Sequence, residues 1–312
     1  SEAETLASRF NYVDARLSEL AENSNEQMSV YVTDINQYAQ DIAQLNVQIV
    51  RLEKTPGGSP NDLLDQRDRA IESLAKLVRV DSRVQEDGSI NVFTTSGHRL
   101  VSQSGAETLR LSPAQQPDGP VRLFVSAPGG ADTEISNLSL GGELGAAIDV
   151  SLNVIDRARR DIGLLAVGLT ETFNTQHEAG DTLNQVAGAE FFTSITPVAT
   201  GSPLNSGTIN VSAVIDDATQ LTGASYQIDY TDTVVTITNL STNTTQEING
   251  TTVSIDGLTF TVGAFSDLTD GDRFLVEPTG RASSLMAVAI TDTSDIAAAN
   301  LDGNVGDNRH ML

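Results

Sequence analysis

The chain has 312 residues, 39% of them hydrophobic but only 4% aromatic, with 42 acidic against 18 basic side chains, a formal net charge of −24 and no Cys or Trp. A field of that sign repels nucleic acid and anionic membrane surfaces and excludes both as partners, while the absence of Cys excludes disulfides, thiolate catalysis and Cys-based metal sites. The length allows two or three domains, and there is neither an apolar run long enough to span a bilayer nor a signal peptide at Ser1.

Residues 1–54 read as one rod. Leu6, Phe10, Val13, Leu17 and Leu20 step by four and three, and Met28, Tyr31, Ile35, Tyr38, Ile42, Leu45, Ile49 and Leu52 step by three and four. That average of about 3.5 residues is the spacing of a helix packed lengthwise on other helices. The steps through Ser24 predict a stutter that relaxes the supercoil locally. No Pro or Gly precedes Pro56, so at about 1.5 Å per residue the rod is roughly 80 Å long. A rod of that length suits the shaft of an assembly better than the core of a globular enzyme.

Thr55-Pro56-Gly57-Gly58 is a break. Ser59 as N-cap, Pro60 at the first helical position and Asp62 three residues after the cap predict a helix restart, continued by Leu63, Leu64, Arg67, Ile71, Leu74 and Val78. Two helices joined by a tight turn predict an antiparallel hairpin. From Val80 the period becomes two: Val80, Ser82 and Val84 alternate with charged neighbours, Asp87-Gly88 predicts a type I′ turn, and Ile90, Val92, Leu100-Val101, Leu109/Leu111 and Val121/Leu123/Val125 predict further strands punctuated by Pro113, Pro117, Gly119 and Pro120.

Gly141-Gly142 opens a second long helix over 143–178, with Leu144, Ile148, Leu152, Ile155, Ile162, Leu165, Leu169 and Phe173 inward, ending at Gly180. Strands are predicted at 225–230, 234–238, 253–255, 258–262 and 273–277, with turns at Asn249-Gly250, Asp256-Gly257 and Asp270-Gly271. The richness in Thr, Ser and Asn predicts β surfaces exposed on both sides. A last helix is predicted over 282–301, with Leu285, Val288, Ala289, Ile296 and Ala299 inward and Asp292-Thr293-Ser294 splitting and recapping it.

The fold class is therefore multidomain α+β: an elongated antiparallel helical-bundle stem (1–80, 141–182 and 282–312) carrying two inserted antiparallel β units, a small one at 81–140 in or on the stem and an outward one at 183–281. The candidate stem core is Met28, Tyr31, Ile35, Tyr38, Ile42, Leu45, Ile49, Leu52, Leu63, Ile71, Leu74, Ile148, Ile155, Ile162, Leu169 and Phe173. The candidate subunit-interface residues are the polar positions Glu19, Glu22, Asp34, Gln40, Asp41 and Gln44 of the first rod.

Chemistry is sparse. His98 falls in a strand region, His177 near a helix C-terminus where the dipole favours a cation, and His310 near the chain end; none has a partner at ligand spacing. Asp216-Asp217 and Asp267/Asp270/Asp272 lack the calcium-loop pattern with its terminal Glu and read as turn residues. Ser96-Gly97 and Ser104-Gly105 lack the nucleophile-elbow pattern, and Gly57-Gly58, Gly129-Gly130 and Gly141-Gly142 read as turns and helix breaks rather than phosphate loops. No catalytic residue, cofactor or metal is expected.

NDLLDQRDRAIESLAKLVRVDSRVQEDGSINVFTTSGHRLV (61–101), GGELGAAIDVSLNVIDRARRDIGLLAVGLTETFNTQHEAGDTLN (141–184), GAEFF (188–192), LTGASYQIDY (221–230), IDGLTFTV (255–262), DGDRFLVEPT (270–279), DTSDIAAAN and GDNR (306–309) form a collinear series. This series resembles the flagellar hook-associated protein 1 family. Residues 193–220 carry no part of it. The resemblance implies a non-enzymatic, secreted structural subunit that joins the hook of a bacterial flagellum to its filament. Implied partners are the hook protein, the second junction protein, other copies of the chain in a ring, and an export chaperone for a C-terminal segment. That segment and the family's terminal polymerisation helices are expected to lie outside these 312 residues. Open alternatives are another flagellar axial protein, such as the second junction protein or a flagellin-like subunit, and a secreted adhesin or binding module.

Overall fold

The computed structural model describes residues 1–55, 59–103, 105–112, 122–127, 130, 132–135, 140–202, 205–208, 210–264 and 267–298. The turn expected at 56–58, the punctuation at 113–120, Val121, Ser104, Gly129, Ala299, Leu301, the GDNR motif and His310 lie outside the described residues. The fold is α+β, and the chain divides into two compact units, one formed by Ser1–Leu17 with Arg157–Leu312 and the other by Ser18–Asp156. This partition cuts the expected stem inside its first helix and at Asp156, so the stem segments are shared between the two units.

The first rod is a single helix, α1 (Glu2–Glu53). Its buried positions are Ala7, Asp14, Ala21, Met28, Ile35, Ile42 and Ile49, a line at unbroken seven-residue spacing. A second line, Val32, Ala39 and Asn46, keeps the same step, and Ala43 is buried beside Ile42. The stutter expected at Ser24 is absent from this pattern. Sequence reading followed the large side chains Leu6, Val13 and Leu20, which are exposed. The buried line runs one position later through small residues, whose short side chains allow neighbouring backbone to approach.

In the unit of Ser18–Asp156, α2 (Asn61–Leu77) packs back along α1 with Arg67, Leu74 and Leu77 buried. The expected capping box does not form. Pro60 occupies the N-cap with no side-chain cap, and its carbonyl accepts the N–H groups of Leu63 and Leu64 at 2.9 Å. Two antiparallel sheets follow. The first is β1 (Val80–Val84), β2 (Ile90–Thr94), β3 (Arg99–Ser102) and β4 (Gly105–Ala106) in chain order; the second is β5 (Thr108–Ser112), β6 (Arg122–Ser126) and β7 (Asp132–Ile135).

The β1–β2 turn is not type I′. Gly88 N–H donates to Gln85 O at 3.1 Å and Gln85 N–H to Ser89 O at 2.8 Å, with only Gly88 at positive φ (+83°). This is a three-residue turn closed by a glycine bulge. Nor does β1 alternate: as an edge strand it leaves Val84 71% exposed. The core joins Met28–Ala43 of α1, Leu74–Val78, Val92, Leu100, Leu109, Leu123 and Ile135 of the sheets, and Leu144 and Ile148 of α3 (Gly142–Val150).

The expected second long helix forms as an unbroken helical run over 142–178 with a π turn inside it. After α3 the backbone makes a π turn at Ser151–Ile155 before α4 (Asp156–Glu178) begins. Leu165, an expected inward position, is 66% exposed, and the buried line of α4 runs through Arg159, Gly163, Ala166, Val167, Thr170, Asn174 and His177. Gly141 and Gly142 open α3 with φ of +57° and +66°; a Cβ on Gly142 would lie 2.6 Å from the Leu77 carbonyl.

In the other unit, α4 and the first turns of α1 enclose Ala7, Ala166, Val167, Phe192, Ile195, Ala282 and Met286. The β part is a sandwich. A five-stranded sheet is ordered β12 (Thr244–Glu247), β11 (Val234–Asn239), β10 (Tyr226–Thr231), β15 (Arg273–Glu277) and β8 (Val198–Gly201); a three-stranded sheet is ordered β13 (Thr252–Ile255), β14 (Leu258–Val262) and β9 (Val211–Ile215). Each sheet buries one face on the other, through Tyr226, Ile228, Val235, Ile237, Phe274 and Val276 against Ala213, Leu258, Phe260 and Val262. The expectation of sheets exposed on both sides is corrected accordingly: Thr and Ser occupy the outer positions of an ordinary period-two pattern. The Asp256-Gly257 turn has φ of +51° and +77°, as a type I′ hairpin requires.

The last helix is largely absent. α5 is only Ala282–Leu285. Beyond it, Thr193 N–H donates to Ala287 O at 2.9 Å and Ala289 N–H to Phe191 O at 2.8 Å, so the segment runs extended beside 191–193. Those strand-like bonds outcompete a helix through Val288, Ile290 and Thr291, whose β-branched side chains favour extended backbone. Asp292 caps a short 3₁₀ turn at Thr293–Asp295 by accepting Ser294 N–H.

Candidate assembly surfaces

The polar residues read as interface candidates lie along α1. Glu19, Glu22, Asp34, Gln40 and Gln44 are exposed. Asp41 is half-buried and accepts Gln37 Nε2 at 2.9 Å. Asp41 and Gln44, with Tyr38 on α1 and Gln66, Arg69 and Ser73 on α2, line a polar groove of about 460 Å³. Apolar residues are exposed on the same helix: Tyr12, Val30 and Val47 as well as Leu20.

Of the expected stem core, Met28, Ile35, Ile42, Ile49, Leu74, Ile148 and Ile155 are buried. Tyr31, Tyr38, Leu45, Leu52, Leu63, Ile71, Ile162 and Leu169 are half-buried. Phe173 is exposed on one side while its ring meets Phe191 at 4.6 Å and Phe192 at 5.5 Å. Phe173, Leu169, Glu171 and Ala218 line a second groove of about 660 Å³ between α4 and the loop after β9. Burial, and then the charges of Glu190 and Glu178, push the Glu171 carboxyl above its ordinary value.

The chemistry-bearing residues are occupied structurally. His177 is fully buried, with Nε2 accepting the Ala297 N–H at 2.8 Å and Nδ1 at 2.6 Å from the Ala189 carbonyl, which fixes a neutral Nδ1–H tautomer. His177 thus acts as a strut between the backbone at Ala189 and at Ala297. Asp272 accepts the N–H groups of Ser206, Gly207 and Thr269. Asp270 accepts Asp232 N–H, and Asp217 caps a 3₁₀ turn through Thr219. Among the described residues no group of three or more His, Cys, Asp or Glu side chains could hold a metal ion, and no described helix is long and apolar enough to cross a membrane.

Sequence reading missed the helical asparagines. Asn36 and Asn46 on α1 and Asn174 on α4 each use the side-chain amide to satisfy both backbone groups of one residue outside the helix, respectively Leu109, Ile90 and Phe192, at 2.8–3.0 Å. Arg67 extends the Asn46 site, donating through Nη1 to Asn46 Oδ1 at 3.1 Å and to Gly88 O at 2.8 Å. The signal was present: asparagine is a poor helix former, and Asn46 stands where the seven-residue step calls for an apolar residue.

The family model described as flagellar hook-associated protein FlgK helical domain matches residues 1–192, and the model described as flagellar hook-associated protein 1, D2-like domain, matches residues 202–278. The chain belongs to this family of flagellar hook-associated proteins. It is 33% identical to flagellar hook-associated protein 1 of Escherichia coli (strain K12) over 99% of this chain and 57% of that one. To the Salmonella typhimurium protein of the same name it is 32% identical over 96% and 55%. It superposes on the flagellar hook junction protein FlgK from Burkholderia pseudomallei with a TM-score of 0.83 and 31% identity, covering 96% of this chain and 55% of that one. The chain therefore spans a little over half the length of the relatives it matches.

Proposed function

We propose that this protein is a structural subunit of the bacterial flagellum that joins the hook to the filament and acts by axial and lateral packing, without catalysis. The observation that carries the reading is the collinear match of the helical and D2-like family models to 1–192 and 202–278. Its partners are the hook protein, the second junction protein and further copies of itself in a ring, and its place is extracellular, after secretion through the flagellar export route. A chaperone would serve export by holding a C-terminal segment beyond these residues. Contacts between copies in such a lattice are heterologous and need stiff elements in register. The unbroken seven-residue line of α1 supplies that stiffness, and Glu19, Glu22, Asp34, Gln40, Asp41 and Gln44 supply contact positions off the buried seam.

The test is complementation of a strain lacking the gene, scored by electron microscopy of cells and by filament subunit in the medium. The null strain should show hooks without filaments and release filament subunit. Charge-reversed Glu19 and Glu22 in the full-length protein should fold and be secreted yet restore filaments poorly. Deletion of 193–280 should spare attachment. Complete loss of filaments on that deletion, with secretion intact, would move the junction to the β sandwich.

A further inference from the structure

Asn249 and Gly250 are exposed in the loop between β12 and β13. Gly250 holds φ at +126°, and a Cβ there would meet open space, so glycine serves backbone conformation and not packing. The loop is one of the covalent links between the five-stranded and the three-stranded sheet. Both of its ends are pinned: Ile248 N–H donates to Val235 O and Val262 N–H to Thr251 O, each at 2.8 Å.

No described contact holds the Asn249 side chain. The amides of Asn36, Asn46, Asn174 and Asn205 are each tied to backbone, and that of Asn239 to Asp256. The described Asp-Gly turns are held as well, Asp87 by Ser89, Asp256 by Tyr226 and Asp270 by the Asp232 N–H.

We propose that Asn249 is a site of spontaneous deamidation in the folded protein, with water as the co-reactant. The Gly250 nitrogen, its proton passed to solvent base, attacks Cγ of Asn249. The bond from Cγ to the side-chain nitrogen breaks, and ammonia leaves with a proton returned from solvent. The resulting five-membered imide is opened by water at either carbonyl, giving aspartate or isoaspartate at 249. One amide nitrogen is exchanged for one water oxygen, one negative charge is gained, and nothing is oxidised or reduced. Glycine at 250 leaves the attacking nitrogen unhindered. The isoaspartyl product routes the main chain through the former side-chain methylene, lengthening by one atom a loop whose ends are fixed. This inference goes beyond the junction role and does not depend on it.

The experiment ages the intact chain at mildly alkaline pH and cuts it after glutamate and after arginine. The peptide 248–273 contains Asn249 as its single asparagine, together with Asp256-Gly257 and Asp270-Gly271. That peptide should gain one mass unit earlier than peptides carrying the tied asparagines, and isoaspartyl methyltransferase should label it. Asn249→Gln should abolish the gain and Gly250→Ala slow it, with circular dichroism unchanged for Asn249→Gln. The proposal is overturned if the tied asparagines convert first, if the peptide keeps its mass while label accumulates at the Asp-Gly pairs, or if Gly250→Ala converts as fast as the parent.

Discussion

The side-chain amide of Asn174 completes both backbone hydrogen bonds of Phe192, Nδ2 donating to the carbonyl and Oδ1 accepting the N–H, each at 2.8 Å. Oδ1 also takes the Phe191 N–H at 3.0 Å. A side chain on α4 thereby acts as a length of strand edge, fixing the segment that in turn holds Ala287 and Ala289 in extended pairing. Buried backbone groups must find partners, and three of them depend on this one residue.

Asn174→Ala should therefore cost more than one ordinary hydrogen bond. At about 1–3 kcal/mol for each buried group left unsatisfied, partly relieved by water, a loss of about 3 kcal/mol is expected. Chemical denaturation of the intact chain measures it. Asn174→Asp keeps the acceptor but turns a carboxylate toward the Phe192 carbonyl, and should be at least as destabilising.

Arg67 and Asn46 should couple. Arg67 is buried, and burial lowers its pKa while the charges of Asp68 and Glu53 oppose that. Its Nη1 holds both Asn46 Oδ1 and the turn carbonyl of Gly88, and Asn46 meanwhile serves both backbone groups of Ile90. Removing either partner strands the other. The double variant Arg67→Met with Asn46→Ala should cost about 1–3 kcal/mol less than the sum of the single variants. Strict additivity in a denaturant cycle would show that the two act separately.

The line of burial on α1 gives a third expectation. Ile35→Ala removes a fully buried side chain and should cost about 2–5 kcal/mol. Leu20→Ala removes one that is 53% exposed, and its effect on the chain should stay within about 0.5 kcal/mol. Equal losses at the two positions would restore the seam drawn through the large residues.

What was legible in the sequence follows from the strength of the local signal. The span of α1, the strands at 258–262 and 273–277 and the Asp256-Gly257 turn were readable because periodicity and turn chemistry agree over those stretches. The phase of the first half of α1 was not. Burial there falls on Ala7, Asp14 and Ala21, which carry little weight when hydrophobic side chains are counted. The π turn at Ser151–Ile155 leaves no composition mark. Residues 286–298 carry alanines and a plausible cap, but their neighbours at 191–193 offer backbone bonds that no local reading could anticipate. Among the candidate surfaces, the exposure of Glu19 and Gln40 was readable from helix phase. The asparagine struts were hidden because a polar residue in a helix is ordinarily assigned to the solvent face.

Two carboxylates should titrate stability in opposite directions. At Asp272, burial works to raise the pKa, but the N–H groups of Thr269, Ser206 and Gly207 together outweigh it and hold the group below its ordinary 3.8. A depressed folded value means that the unfolded chain binds the proton more readily, so the stabilisation is complete above 3.8 and is lost as pH falls through the folded value. Glu171 is the reverse: burial first, then Glu190 and Glu178, raise it from 4.5. The folded chain holds that proton more tightly, and stability falls as pH rises from 4.5 through the raised value. Glu171→Gln should therefore be more stable than the parent at neutral pH and indistinguishable from it well below 4.5. Asp272→Asn should be less stable at neutral pH, with the gap narrowing in acid. Denaturation midpoints of the parent and both variants across that range test both signs, and a Glu171→Gln variant no more stable at neutral pH would remove the case that burial, with the charges of Glu190 and Glu178, penalises the ionised carboxyl in the α4 groove.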